Sequence, residues 1–232
     1  MISVVIPTLN AEATLAPTLT ALVSAAVEGM IREVIVVDGG STDRTAQIAE
    51  ESGATLIACS GGRGPQLRAG ADQARFPWLL FLHADTELEI GWEREATAFM
   101  EAVERGRRPP AAAAFRFALD DMGLSPRLVE RLVAVRCGLL RLPYGDQGLL
   151  VPRRLYNELG GFAPLELMED VEFVRRLGRR RVAMLRGRAI TSPLRYRRDG
   201  YLQRMLRNQV CLVLYFLGVP IATIVRLYGH GD

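Results

Sequence analysis

The sequence predicts an α/β chain: a mostly parallel central sheet with helices on both faces, followed by a smaller helical appendage. Three observations carry this. Four short apolar runs, "ISVVIP", "EVIVVD", "ATLIAC" and "WLLFLH", are separated by stretches of helical period. The runs are continuously apolar, as strands buried on both faces are. Polar or glycine residues follow each of the four.

Taken in order, the first strand leads into a helical pattern over about residues 11–27. The second strand ends at Asp38-Gly39-Gly40-Ser41, and a helix follows over about 43–52. The third precedes "SGGRG" and a helix over about 65–74; the fourth runs into His83, Ala84 and Asp85. Right-handed crossovers put the C-terminal ends of such strands on one edge, where ligands of open α/β sheets bind. Four polar segments therefore gather at one edge. Beyond it, "AAAAFRFAL" reads as a strand, "LVERLVAVRCGLLRL" as a helix, "GLLVPR" as a short strand and "MEDVEFVRRL" as a helix opening on its acids. Residues 1–200 read as one domain in two parts, 1–105 and 106–200. Residues 201–232 form the appendage.

Composition narrows the chemistry. The 232 residues are 49% hydrophobic and 24% charged, a globular balance. All 29 basic residues are arginine, which excludes a phosphate-loop lysine and Schiff-base chemistry. With only His83 and His230 as histidines, carboxylates and arginines must carry whatever chemistry exists. Cys59, Cys137 and Cys211 lie far apart, so a reducing, cytoplasmic compartment without structural zinc is expected. Residues 1–100 carry a net −7 and residues 101–232 a net +10, with ten arginines between Arg175 and Arg198. That asymmetry fits either a solvated surface or a polyanion partner. No nucleic-acid fingerprint accompanies it. "NQVCLVLYFLGVPIATIV" is 18 uncharged residues interrupted by Gly218 and Pro220. With the amphipathic stretch before it, it fits core packing or a homodimer contact first, a membrane surface second and a span third.

Several residues at the ligand edge suit chemistry. Asp38 fits a turn residue or an acceptor for a base or sugar. "GGRGPQ", with Arg63 and Arg68 nearby, could approach a diphosphate, although Leu67 stands where a dinucleotide fingerprint has its third glycine. Asp85 can supply one carboxylate to Mg²⁺ or Mn²⁺, with substrate phosphates and water completing the shell. His83 points to the same side of an extended chain and is either a ligand or phosphate contact or a neutral, hydrogen-bonded side chain. Glu169 and Asp170 are helix-dipole partners or, opposite a phosphate site, a general base and its neighbour.

"SVVIPTLNAEATL", "EVIVVDGGSTDRT", "FLHADTE", "GGF" and "MEDVEFVRRL" occur in the order expected of family 2 glycosyltransferases with the GT-A fold, and the chain resembles them over roughly its first 180 residues. "GRGPQLRAGA" and "YGDQGLLV" make it resemble a bacterial subgroup found beside radical-SAM enzymes. The resemblance implies an inverting transfer from a UDP- or GDP-linked sugar to an acceptor hydroxyl, with residues 1–105 as the nucleotide-binding half and 106–200 as the acceptor-binding half. It implies that Pro7, Thr8, Leu9 and Glu12 line the nucleoside pocket and that Asp38 binds the base. Gly39, Arg63, Gln66 and Ala84 would lie near the nucleotide. "HAD" stands where the family has DxD, so Asp85, with His83 as an altered partner, would hold the metal. Asp170 would be the base, with Glu169 beside it; Asp146 and Gln147 would contact the acceptor or form a tight turn. Three departures stand out: His83 for the first aspartate of DxD, Arg68 for a usual asparagine, and no late QxxRW motif, "QRMLRNQ" being a loose substitute. The expected partners are a nucleoside-diphosphate sugar and a small-molecule or lipid-linked acceptor, with no nucleic acid. Peripheral contact with the inner membrane face through the C-terminal helix is a further expectation. The alternatives are a degenerate nucleotide-sugar-binding scaffold and, with less support, a sugar-phosphate nucleotidylyltransferase, whose phosphate loop needs a lysine.

Overall fold

The computed structural model describes residues 1–229, apart from the side chain of Leu140; His230 and the end of the expected appendage lie outside them. β1 (Ile2–Thr8) leads to α1 (Leu15–Thr20) and α2 (Val23–Val27), where one helix was expected. A bond from Leu22 N to Leu19 O (3.1 Å) tightens the turn and interrupts the α-ladder. β2 (Ile31–Asp38), α3 (Thr45–Glu51), β3 (Thr55–Ala58), α4 (Arg63–Gln73) and β4 (Trp78–Phe81) follow as predicted. β4 stops short of His83, because a turn closed by Thr86 N on His83 O (3.2 Å) redirects the chain into β5 (Thr86–Leu88). Then come α5 (Trp92–Glu104), β6 (Ala112–Leu119), α6 (Leu124–Leu140), β7 (Leu149–Pro152) and α7 (Arg153–Glu158). α8 (Glu169–Leu177), β8 (Val182–Thr191), α9 (Leu194–Asp199), α10 (Tyr201–Phe216) and α11 (Ile221–Tyr228) complete the described residues.

The strands form one sheet in the order β3-β2-β1-β4-β7-β6-β8-β5. β1 to β4 are mutually parallel, whereas β7 runs antiparallel to both β4 and β6. The chain steps outward from β1 to β3 and then returns to lay β4 on the other side of β1. That reversal is the topological switch point, where a crevice opens beyond the strand ends.

Strand alternation sorts the core into two layers. Val4, Ile6, Trp78 and Leu80 pack on one face with α1, α2 and α5. Val5, Val37, Leu79 and Phe81 pack on the other with α4, α7, α8 and the C-terminal helices. Each layer closes over continuous apolar strands, which is why the runs carry no polar alternation.

The arginine-rich segment, which fits either a solvated surface or a polyanion partner, includes β8 and α9, and its ten arginines are all exposed. β8 was not foreseen because Arg186, Gly187 and Arg188 interrupt its apolar run. Some of the arginines are ion-paired: Arg188 with Glu89 at 2.7 Å, Arg197 with Asp121 at 2.7 Å and Arg176 with Glu172 at 2.5 Å. These pairs account for part of the local charge without a polyanion.

Candidate active site

A cleft of about 470 Å³ lies at the switch point, within the roughly 300–1,000 Å³ typical of small-molecule sites. Pro7, Thr8 and Leu9 from the end of β1, Arg63 and Gln66 from α4, and His83 to Asp85 after β4 line it. Thr18 Oγ1 donates to Ala84 O (3.0 Å) and steadies the turn that carries Asp85.

Three residues expected at the nucleotide do not line this cleft. Glu12 is exposed, and its carboxylate accepts from Arg44 N (3.1 Å). Asp38 is buried, and its oxygens accept from Gly40 N (3.1 Å), Ser41 N (2.8 Å), Ser41 Oγ (2.5 Å) and Thr8 Oγ1 (3.2 Å). These donors hold its carboxyl below the ordinary range, against the opposing effect of burial. Four bonds fill the carboxylate's acceptor capacity, so contact with a base edge requires one of the hydroxyls to turn away. At Gly39 an added Cβ would stand 2.9 Å from Gln66 Nε2. That amide donates to Thr8 O and Val37 O, both at 2.9 Å. Gln66 therefore ties the ends of β1 and β2 together while its flank lines the cleft.

At the floor, Arg63 Nε stands 3.0 Å from Oε1 of Glu169, which is fully buried. Burial pushes Glu169 up to about 7 even with Arg63 beside it. Arg63 Nη1 lies 3.4 Å from His83 Nε2. Burial first, and Arg63 second, push His83 down to about 4. His83 is thus a neutral imidazole whose Nε2 lone pair faces a guanidinium. Its Nε2 is turned to a cation, which does not favour that nitrogen as a metal ligand. Asp85 is different: among the described residues its carboxylate accepts only a long bond from Thr86 Oγ1 (3.4 Å). Among the described residues no cluster of three or more His, Cys, Asp or Glu is placed to hold a metal. The donor set fits a hard cation only in the manner of one carboxylate completed by phosphate oxygens and water.

A recess of about 90 Å³ adjoins the cleft, sharing Arg63, His83, Asp85 and Arg195 with it. Asp170 opens into this recess and Glu169 does not. Asp170 Oδ2 accepts from Gly145 N (2.7 Å) and Oδ1 from Val171 N (2.7 Å). Met168, just before the pair, holds φ 66°, an uncommon left-handed value for a non-glycine residue that sets the start of α8. Gly145 lets the loop close: an added Cβ would stand 2.5 Å from His83 Nε2 and 3.4 Å from Asp170 Oδ2.

Asp146 lines the recess, with Oδ1 buried and without a hydrogen-bond partner among the described residues. Burial pushes it up to about 6. Gln147 does not reach the recess. It is buried, donates to Phe115 O (2.9 Å) and accepts from Arg136 Nη2 (3.1 Å), so its expected acceptor contact is corrected to a structural one. The sequence reading missed Thr191, Arg195, Tyr196, Asn208 and Tyr228, which also line the recess. Arg195 belongs to the arginine-rich stretch and Asn208 to "QRMLRNQ", both singled out above; Thr191, Tyr196 and Tyr228 had no signal. Arg204, from "QRMLRNQ", lines the recess too, held by Asp199 at 2.9 Å.

The strands and loops that build this cleft lie largely within the first 106 residues. Residues 3–106 match the family model described as Glycosyl transferase family 2. Over 75 residues, 32% of this chain, the sequence is 37% identical to glycosyltransferase AglJ of Haloferax volcanii, and the match spans 24% of that relative's length. S. aureus TarS 1–349 in complex with UDP-GlcNAc superposes with a TM-score of 0.60 at 21% identity, over 82% of this chain and 58% of that one. Glucosyl-3-phosphoglycerate synthase of Mycobacterium tuberculosis, with Mn²⁺, UDP and phosphoglyceric acid, gives 0.62 at 23%, over 95% and 79%. The scaffold is that of the GT-A glycosyltransferases, and Asp85 and Asp170 line one recess of it.

Proposed function

We propose that the chain transfers a sugar from a UDP- or GDP-linked donor to an acceptor hydroxyl, with inversion and with Asp170 as general base. The observation that carries this reading is that Asp85 and Asp170, from opposite halves of the domain, line one recess adjoining a nucleotide-sized cleft. The acceptor O–H gives its proton to Asp170. The acceptor oxygen attacks the anomeric carbon, and the bond from that carbon to phosphate oxygen breaks, the nucleoside diphosphate leaving with the electron pair. Backbone donors from Gly145 and Val171 fix the orientation of the carboxylate and leave a lone pair on each oxygen for the proton.

Bound Mg²⁺ or Mn²⁺ would offset charge on the departing diphosphate, held by Asp85 with the donor's own phosphate oxygens. Arg63 contributes a fixed positive charge to the same wall, steadied by Glu169, which we read as a positioning residue. Pro7, Thr8 and Leu9 form the nucleoside side. Asp146, Asn208 and Tyr196 form the acceptor side. Cys59, Cys137 and Cys211 are free thiols, which supports a reducing, cytoplasmic setting. Placement in the radical-SAM-neighbouring subgroup rests on "GRGPQLRAGA" and "YGDQGLLV" alone.

Asp170→Asn tests the reading. Donor turnover should fall by about 10²–10⁴-fold, the usual contribution of a general base, while the calorimetric affinity for the nucleotide holds. Near-normal turnover in the variant overturns the base assignment. A wild-type chain that binds donor yet never transfers or hydrolyses it would favour the binding-scaffold alternative.

A further inference from the structure

Two helices far apart in the chain carry the same pattern on their outer faces. On α6, Leu124, Leu128, Leu132, Val135 and Leu139 are exposed; on α10, Leu202, Leu206, Val210, Val213 and Leu217 are. Both sets follow the spacing i, i+4, i+8, i+11, i+15, one stripe along an α-helix. Such a stripe ordinarily faces a core, yet Leu124 is 90% exposed and Leu217 is 74% exposed. α6 and α10 contact one another. Val129 and Val133 of α6 and Tyr201 and Met205 of α10 share a small core with Phe117 and Leu119 of β6. The outer stripes therefore belong to adjoining helices seated on one part of the sheet. Apolar surface organised in this way marks a contact site, unlike single scattered leucines.

Charge selects the partner. Among the described residues, α10 and α11 contain no acid, and the one acid of α6, Glu130, is neutralised by Arg127 at 2.6 Å. Arg131 on α6, Arg141 directly after it and Arg226 on α11 are exposed, without an ion-pair partner among the described residues. We propose that this face docks on an anionic lipid surface. The leucine and valine stripes enter the interfacial layer while the arginines meet negative headgroups. Two copies joined through the same face would bring the uncompensated arginines together, which disfavours a second copy as the occupant. No helix among the described residues is long and apolar enough to cross a membrane, so the contact lies in the plane of the interface. Arg204 and Asn208 of α10 and Tyr228 of α11 line the recess, so docking holds the recess beside the lipid surface.

The test is sedimentation of the full chain with vesicles of phosphatidylcholine alone or mixed with phosphatidylglycerol. We expect roughly tenfold or greater enrichment on the anionic vesicles, weakened by salt. Leu132→Gln/Leu206→Gln should abolish binding, and Arg131→Gln/Arg226→Gln should abolish the preference for anionic lipid. All these positions are exposed, and an unchanged melting temperature confirms that each variant folds. Failure to sediment with either vesicle, equal sedimentation with both, or undiminished binding by the leucine variant overturns the proposal. So does a dimer that the leucine variant splits in the absence of any vesicle binding, which would assign the face to a second copy. Nucleotide titration of the same samples is independent of these outcomes.

Discussion

Arg63 Nε stands 3.0 Å from Oε1 of Glu169, a carboxylate with no solvent exposure, while the next residue, Asp170, opens into the recess. Two adjacent acids thus have separate tasks. One holds an arginine at the cleft wall; the other faces the reacting groups.

The pH dependence of stability should expose the first task. Burial raises Glu169 from its ordinary 4.5 to about 7. A folded-state value above the unfolded one means the residue's contribution is full below the unfolded value and lost as pH rises through the folded value. The melting temperature of the wild type relative to Glu169→Gln should therefore fall between pH 4.5 and 7, by at least about 3 °C, and level off above. Asp146, raised, and His83, lowered, are present in both proteins and cancel in the difference. A difference that does not vary with pH would show Glu169 titrating as an ordinary carboxylate.

Gly145→Ala should harm both fold and rate. The new Cβ would stand 2.5 Å from His83 Nε2, and the Gly145 N–H is the donor that fixes Asp170. Overpacking of this kind costs about 1–3 kcal/mol, read by thermal denaturation. Displacement of Asp170 should reduce turnover by about tenfold or more. A variant with wild-type stability and rate would mean that the loop over residues 145–147 yields freely.

Metal dependence should separate Asp85 from His83. Calorimetric titration of UDP should show affinity raised at least about tenfold by Mn²⁺ in the wild type. Asp85→Ala should lose that increment. His83→Ala should keep it, because His83 Nε2 faces Arg63. Equal loss in both variants would make the imidazole a ligand after all.

Much of the fold was legible because the central strands are continuously apolar and the turns between them are marked by glycine and acids. β8 was not, since Arg186 and Arg188 conceal a strand whose pairing with β6 and β5 is long-range. The same division runs through the site. Asp85 and Asp170 announced themselves as acids at element ends. Gln66 and Gln147 both looked like ligand contacts; both are buried amides bonded to main-chain carbonyls, but Gln66 lines the cleft and Gln147 reaches neither cleft nor recess. Nothing in one sequence distinguishes a glutamine that meets a ligand from one that satisfies a strand end.

By itself, the sequence determined the order of the first four strands, the helical connections between them and the edge at which their polar ends collect, because periodicity and crossover handedness are local rules. Only the tertiary structure decided which acid faces the recess. Successive residues on a helix point about 100° apart. The start of α8 directly after Met168 therefore sends Glu169 into the protein against Arg63 and leaves Asp170 at the surface of the recess.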